Sequence, residues 1–194
     1  MKRLLIYDSD EGGVGFWWKV GAAVLGFRYD TKIACKAWAD CLAQLKMLEV
    51  AGATYDSVQI WGHGYPGNVY IDGREDPEAF WAQLAKLVRP TSTVWLRVCA
   101  FFAGPKGKAE GNRIAEILKC RLLAHTYIVG TWACQSGLRA VVWPNRMAEW
   151  SDEEGVVRPE DRKPGGYGFK RSAPWLPNTV LATRVSDPEW PTNK

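Results

Sequence analysis

Short apolar runs, each emptying into a polar or glycine-containing loop, recur along this chain with helix-spaced segments between them. Residues 3–7, 29–35, 57–61, 93–99, 126–132 and 179–185 read as strands. Residues 12–27 read as a buried turn and helix. Trp38, Cys41, Leu42, Leu45 and Leu48 share one helical face. Residues 68–71 form a hairpin arm closing on Asp72-Gly73. Asp76-Pro77-Glu78 supplies an N-cap, a first-turn proline and an early acid for a helix carrying Phe80, Leu84, Leu87 and Val88 and ending by Pro90. Residues 111–123 place Ile114, Ile117, Leu118 and Leu122 on one face of a further helix.

Strand-helix alternation of this kind predicts an α/β fold: a three-layer α/β/α sandwich around a mostly parallel sheet with right-handed crossovers. The 194 residues, 47% hydrophobic with 11 tryptophans, suffice for a sizeable core and predict one domain over 1–194. The pattern dissolves into proline, glycine and charge at about 144–178, a long irregular loop of the sort that serves as a flap or connector.

Composition narrows the function. The net charge is +4, with basic residues spread out apart from a loose cluster at Arg158, Arg162, Lys163, Lys170 and Arg171. A solvated loop explains that cluster, which argues against nucleic acid as a partner. The start, Met1-Lys2-Arg3 and then only Leu4-Leu5-Ile6-Tyr7 before Asp8, lacks the length of a signal peptide. Residues 12–27 fall short of the roughly 20 needed to span a bilayer, so no membrane association is expected. The five cysteines are odd in number and form no C-x-x-C pair, which argues against a disulfide framework or a zinc site and fits a reducing, cytoplasmic setting. With two histidines, no His-rich metal centre is expected, and no cofactor. Gly12-Gly13-Val14-Gly15 lacks the Lys-Ser/Thr of a phosphate loop and reads as a turn. No G-x-S-x-G elbow is present.

One histidine, His63, lies in Trp61-Gly62-His63-Gly64-Tyr65-Pro66-Gly67, directly after a strand. Cys99 closes the strand Thr93-Val94-Trp95-Leu96-Arg97-Val98-Cys99, one helix later. In a parallel sheet the loops at the strands' carboxyl ends gather on one edge, and Asp8, His63, Cys99 and Cys134 all fall at such ends. Neighbouring strands would thus deliver imidazole and thiol together. A thiolate is the nucleophile, and the imidazole can take its proton and return it to a leaving amine. Gly64 permits close backbone approach, and its N–H with that of Cys99 could form an oxyanion hole. His125, the other imidazole, reads as a helix-end or surface residue.

The strand-His-Gly block Val58-Gln59-Ile60-Trp61-Gly62-His63-Gly64, the helix after it and the block Val94-Trp95-Leu96-Arg97-Val98-Cys99 resemble the caspase-like cysteine peptidases. His63-Gly64-Tyr65-Pro66-Gly67-Asn68-Val69 looks most like bacterial caspase-like domains, where His-Gly is followed by Pro-Gly and a small hairpin. The resemblance covers about residues 57–137, with 3–8 as the first strand. It implies a caspase-like domain and a cysteine endopeptidase cutting a protein or peptide substrate through a thioester acyl-enzyme. It makes His63 the general acid/base, Cys99 the nucleophile, and the Gly64 and Cys99 amides the oxyanion hole. Asp8, Arg97 and Cys134 would line the substrate pocket. Arg97, two residues before the nucleophile, implies an acidic substrate side chain; the alternatives are that it pairs with Asp8 or Asp10, or that those acids select Lys or Arg. The chain departs from the family in Val98 and Ala100-Phe101-Phe102, where many members carry a small residue and Ser-Gly. Ala133-Cys134-Gln135-Ser136-Gly137 is the closer local match to the legumain-like and metacaspase-like cysteine block, whereas strand adjacency favours Cys99. The second functional reading is a catalytically inactive scaffold that binds a protein in the same cleft.

Overall fold

The computed structural model describes residues 1–9, 15–129, 140–142 and 150–171. In chain order the elements are β1 (Arg3–Asp8), α1 (Gly15–Leu25), β2 (Thr31–Cys35), α2 (Trp38–Val50), β3 (Tyr55–Trp61), β4 (His63–Tyr65), β5 (Asn68–Ile71), β6 (Arg74–Glu75), α3 (Glu78–Ala85), β7 (Val88–Arg97), α4 (Gly104–Leu118), β8 (Arg121–Ala124) and β9 (Ala140–Val142). The main sheet has the order β2-β1-β3-β7-β8-β9. Its first five strands are parallel and β9 runs antiparallel on the edge. The fold is therefore α/β with a mostly parallel central sheet flanked by helices.

The sheet's two faces follow from the apolar pattern. Leu4, Leu5 and Ile6 are all fully buried, as a central strand covered on both sides requires. Alternation sends Leu4 and Ile6, with Val58, Ile60, Val94 and Leu96, against Cys41 and Leu45 of α2, Phe80 and Leu84 of α3, and Ile114 and Leu118 of α4. Leu5 and Trp61 turn to the other face, where Ala22, Trp18 and Tyr29 cover them. Three helices thus cover one face, and α1 with the turn after it covers part of the other.

Several local expectations change. Asp76 does not cap α3, whose N-cap position is Pro77 in extended conformation. Its half-buried carboxylate instead accepts from the Val69 amide at 2.6 Å and from Trp81 Nε1, tying β5 to the helix. The segment ends as a helix at Ala85, and β7 already begins at Val88 and runs through Pro90. A register shift between Tyr55 and Ser57 accommodates the extra residues. Ser92 Oγ holds it, accepting from the Arg89 amide at 2.8 Å and donating to the Tyr55 carbonyl at 2.7 Å.

Helix α4 starts at Gly104 rather than residue 111, despite glycines that disfavour a helix. Packing overrides propensity there: a Cβ on Gly107 would lie 2.4 Å from the Phe101 carbonyl oxygen, so only glycine lets the helix rest on that backbone. Lys119, at φ +53°, ends the helix in the left-handed region. Residues 121–123, expected to be helical, instead form β8 with Ala124, in register with Val94 and Trp95. Of the strand expected at 126–132, the described part holds one isolated bridge, Ile128 to Arg171. The strand expected at 179–185 and the glycine-rich turn at 12–14 lie outside the described residues.

Residues 150–171 are irregular as expected, with one short 3-10 turn at Pro159–Asp161. They nevertheless pack on the sheet edge. Trp150 is 4% exposed and donates Nε1–H to the Phe102 carbonyl at 3.1 Å. Gly155, at φ +77°, lies so close to the Thr126 carbonyl that a side chain has no room. No described helix is long and apolar enough to cross a membrane.

Candidate functional site at the carboxyl edge of the sheet

The main sheet's order reverses between β2-β1 and β3-β7, and ligands in open α/β sheets bind outside the carboxyl ends at such a reversal. The ends of β1, β3 and β7 carry Asp8, the His63 hairpin and the Val98-Cys99 turn. β3 and β7 pair in parallel up to Trp61 opposite Arg97, so the residues that follow leave from one edge side by side.

β4 and β5 form a hairpin in which His63 faces Tyr70 and Gly64 faces Val69. Its turn, Pro66-Gly67, has Gly67 at φ +74°, and the Gly67 amide donates to the Phe101 carbonyl at 2.9 Å. The β5–β6 turn uses Asp72 and Gly73, both left-handed, as a two-residue hairpin of twisted strands requires. The hairpin lies directly against the cysteine turn: a Cβ on Gly64 would stand 2.5 Å from the Cys99 carbonyl oxygen and 2.6 Å from Val98 Cγ2. His63 is exposed at this contact, whereas Cys99 is half-buried.

Cys99 Sγ donates to the Val129 carbonyl at 3.3 Å. Among the described residues no hydrogen bond joins His63 to Cys99. Burial pushes the Cys99 thiol above its ordinary range, with a Val129 backbone bond and the positive charge of Arg171 offsetting part of the rise. Ala100, the next residue, is at φ +47°. A non-glycine residue in the left-handed region costs about 1–2 kcal/mol. Its amide is held by the Tyr127 carbonyl at 2.9 Å, and Phe102 N–H donates to the His125 carbonyl at 3.0 Å. The turn that presents Cys99 is thus fixed by the segment after β8.

Asp8 is 4% exposed and lies beside Gly62, whose Cβ would stand 3.9 Å from Asp8 Cβ. By alternation it shares a face with Ile6 and Leu4, and it stands opposite Cys35 in register. Arg97 belongs to the other face, in one row with Tyr7 and Trp61. Its guanidinium sits 4.6 Å from the Trp61 ring centroid and 5.0 Å from that of Trp95, and it donates to Gln59 Oε1 at 3.3 Å. Asp8 and Arg97 therefore occupy opposite sides of the sheet, and Arg97 reaches back toward the strands' amino ends. Cys134 lies outside the described residues. His125 is fully buried at the end of β8 with its ring 6.3 Å from that of Trp95, not at the surface or a helix end.

Two contacts escaped the sequence reading. Tyr65, two residues after His63 on β4, packs edge-to-face on Phe169 at 4.9 Å. Lys170 and Arg171 follow, with the Lys170 carbonyl accepting from the Ile128 amide at 2.9 Å. The aromatic in a glycine-rich stretch, Tyr167-Gly168-Phe169, was the available signal. Among the described residues no cluster of His, Cys, Asp and Glu could hold a metal ion. The sequence matches no protein-family model and none of the curated proteins.

Proposed function

We propose that the chain is a caspase-like cysteine endopeptidase in which His63 and Cys99 act as the dyad. The observation that carries this reading is the close seat of Gly64 on the Cys99 carbonyl, which brings the histidine strand and the cysteine turn together at the sheet's carboxyl edge. In the reaction Sγ attacks the peptide carbonyl carbon while the thiol proton passes to His63. The oxyanion is met by the Gly64 and Cys99 amides. The C–N bond then breaks, His63 gives its proton to the leaving amine, and water hydrolyses the thioester to acid and free thiol. Because burial raises the pKa of the thiol and so disfavours a free thiolate, proton transfer accompanies attack rather than preceding it. Substrate enters over the exposed His63 and the Tyr65–Phe169 pair, and Arg97 takes no part in this reading because it lies across the sheet from Asp8 and reaches toward the strands' amino ends.

One observation favours the scaffold reading: the thiol donates to the Val129 carbonyl. A peptide library with mass-spectrometric readout separates the two. The peptidase yields cleavage that is lost in both Cys99→Ala and His63→Ala; the scaffold yields none under reducing conditions but binds peptide.

A further inference from the structure

A second feature stands apart from the dyad, on the sheet face that α1 only partly covers. Alternation along the parallel strands sends Arg3, Ser57, Gln59, Trp95 and Arg97 to this face, in rows fixed by the pairing of Arg3 with Ser57, Leu5 with Gln59, and Gln59 with Trp95. Leu5 and Trp61 take the cover of α1, and the rows nearer the strands' amino ends border a cavity of about 350 Å³. This is the lower end of the small-molecule range. Three guanidiniums line it, those of Arg3, Arg28 and Arg97, and among the described residues no carboxylate does.

The site is built rather than a chance meeting of surface arginines. Arg97 is 7% exposed and held between two indoles. Gln59 Oε1 collects donors from Tyr29 OH at 2.7 Å, Trp61 Nε1 at 3.1 Å and Arg97 at 3.3 Å, which fixes the cavity floor. Arg3 donates to the Arg28 carbonyl at 3.4 Å, so the two exposed arginines share one rim. Neither joins an ion pair among the described residues. The Tyr29 phenol registers all three positive charges at once, although burial outweighs them and leaves its pKa raised.

We propose that this cavity binds a small phosphate-bearing anion, held by Arg3, Arg28 and Arg97 over the Gln59 floor. A tetrahedral phosphate offers acceptor oxygens in three directions to forks that converge from different elements, whereas a carboxylate offers two oxygens in one plane. The cavity exceeds a lone phosphate and suits a diphosphate or a phosphorylated small metabolite. The site is separate from His63 and Cys99 and does not depend on their chemistry.

Calorimetric titration of the full chain with inorganic pyrophosphate at constant ionic strength tests this. Saturable binding is expected, weakened about tenfold or more in Arg28→Gln and further in the Arg3→Gln, Arg28→Gln double variant. Lys119→Gln, remote from the cavity, should bind as the parent does. Both arginines are exposed, so ligand-free melting temperatures of the variants should match the parent and exclude misfolding. Succinate, with two carboxylates in place of two phosphates, should bind about tenfold more weakly at equal concentration. No saturable binding at millimolar pyrophosphate, unchanged affinity in the double variant, or succinate binding as tightly would overturn the proposal.

Discussion

Alanine at position 64 probes the contact on which the candidate site rests. Its Cβ would stand 2.5 Å from the Cys99 carbonyl oxygen, 2.6 Å from Val98 Cγ2 and 2.7 Å from Val98 Cβ. The first of these is backbone and the others belong to a β-branched side chain, so no flexible tip can swing aside. Overpacking costs about 1–3 kcal/mol, and this geometry places Gly64→Ala in the upper half of that range, at about 2–3 kcal/mol. For a chain of this size the melting temperature falls by about 2–4 °C per kcal/mol, giving a drop of roughly 4–12 °C. Displacing the Gly64 amide should also cut peptide hydrolysis by about a hundredfold to a thousandfold. Gly168→Ala is the control: like Gly64 it is not at positive φ, and its Cβ would meet nothing nearer than Arg162 Cζ at 3.6 Å, so it removes a glycine without the clash. Differential scanning calorimetry and a fluorogenic peptide assay read both effects. A Gly64→Ala protein that melts with the parent would show that the histidine hairpin does not rest on the cysteine turn, and the reasoning would fail.

The other expectations follow from the same geometry. His63→Ala should melt within about 2 °C of the parent, since the side chain is exposed, yet lose hydrolysis by about a hundredfold or more. Arg171→Gln removes the charge that favours the Cys99 thiolate, so alkylation of Cys99 by iodoacetamide at pH 8 should slow; an unchanged or faster rate would place Arg171 away from the thiol. Asp76→Ala strands the Val69 amide and the Trp81 indole N–H, and urea denaturation should show a loss of about 2–4 kcal/mol, whereas a loss under about 1 would contradict those bonds. Burial raises the Cys99 thiol and pushes that of Cys120 up to about 12, so the folded chain binds these protons more tightly than the unfolded one. Their contribution is full below the ordinary thiol range and is lost as pH rises toward the folded values. The urea midpoint should therefore fall between pH 8 and pH 11, and a flat or rising midpoint would refute the assignment.

The sequence carried the sheet and the edge of the site because both depend on local pattern. Continuous burial of Leu4-Leu5-Ile6, the helix face of Trp38, Cys41 and Leu45, and the two strands ahead of His63 and Cys99 are visible as periodicity. What escaped depends on packing. Gly104–Leu118 is helical although glycine opposes it, because Gly107 must lie flat on Phe101 and Phe102. Residues 121–123 continue the helical pattern of α4 in sequence, and the left-handed Lys119 ends the helix just before β8. The two faces of Arg97 and Asp8 follow from strand alternation once the register is known, and register is a long-range property. Tyr65 meets Phe169 across more than a hundred residues, and no local pattern encodes such a meeting.

The most direct measurement of the central claim is intact-mass and peptide-map detection of a covalent adduct after incubation with a peptidyl electrophile under reducing conditions. The account predicts one adduct, on Cys99, formed slowly in His63→Ala and paired with peptide cleavage that Cys99→Ala abolishes. An adduct on Cys134 with Cys99→Ala fully active would contradict it, as would the absence of both adduct and cleavage.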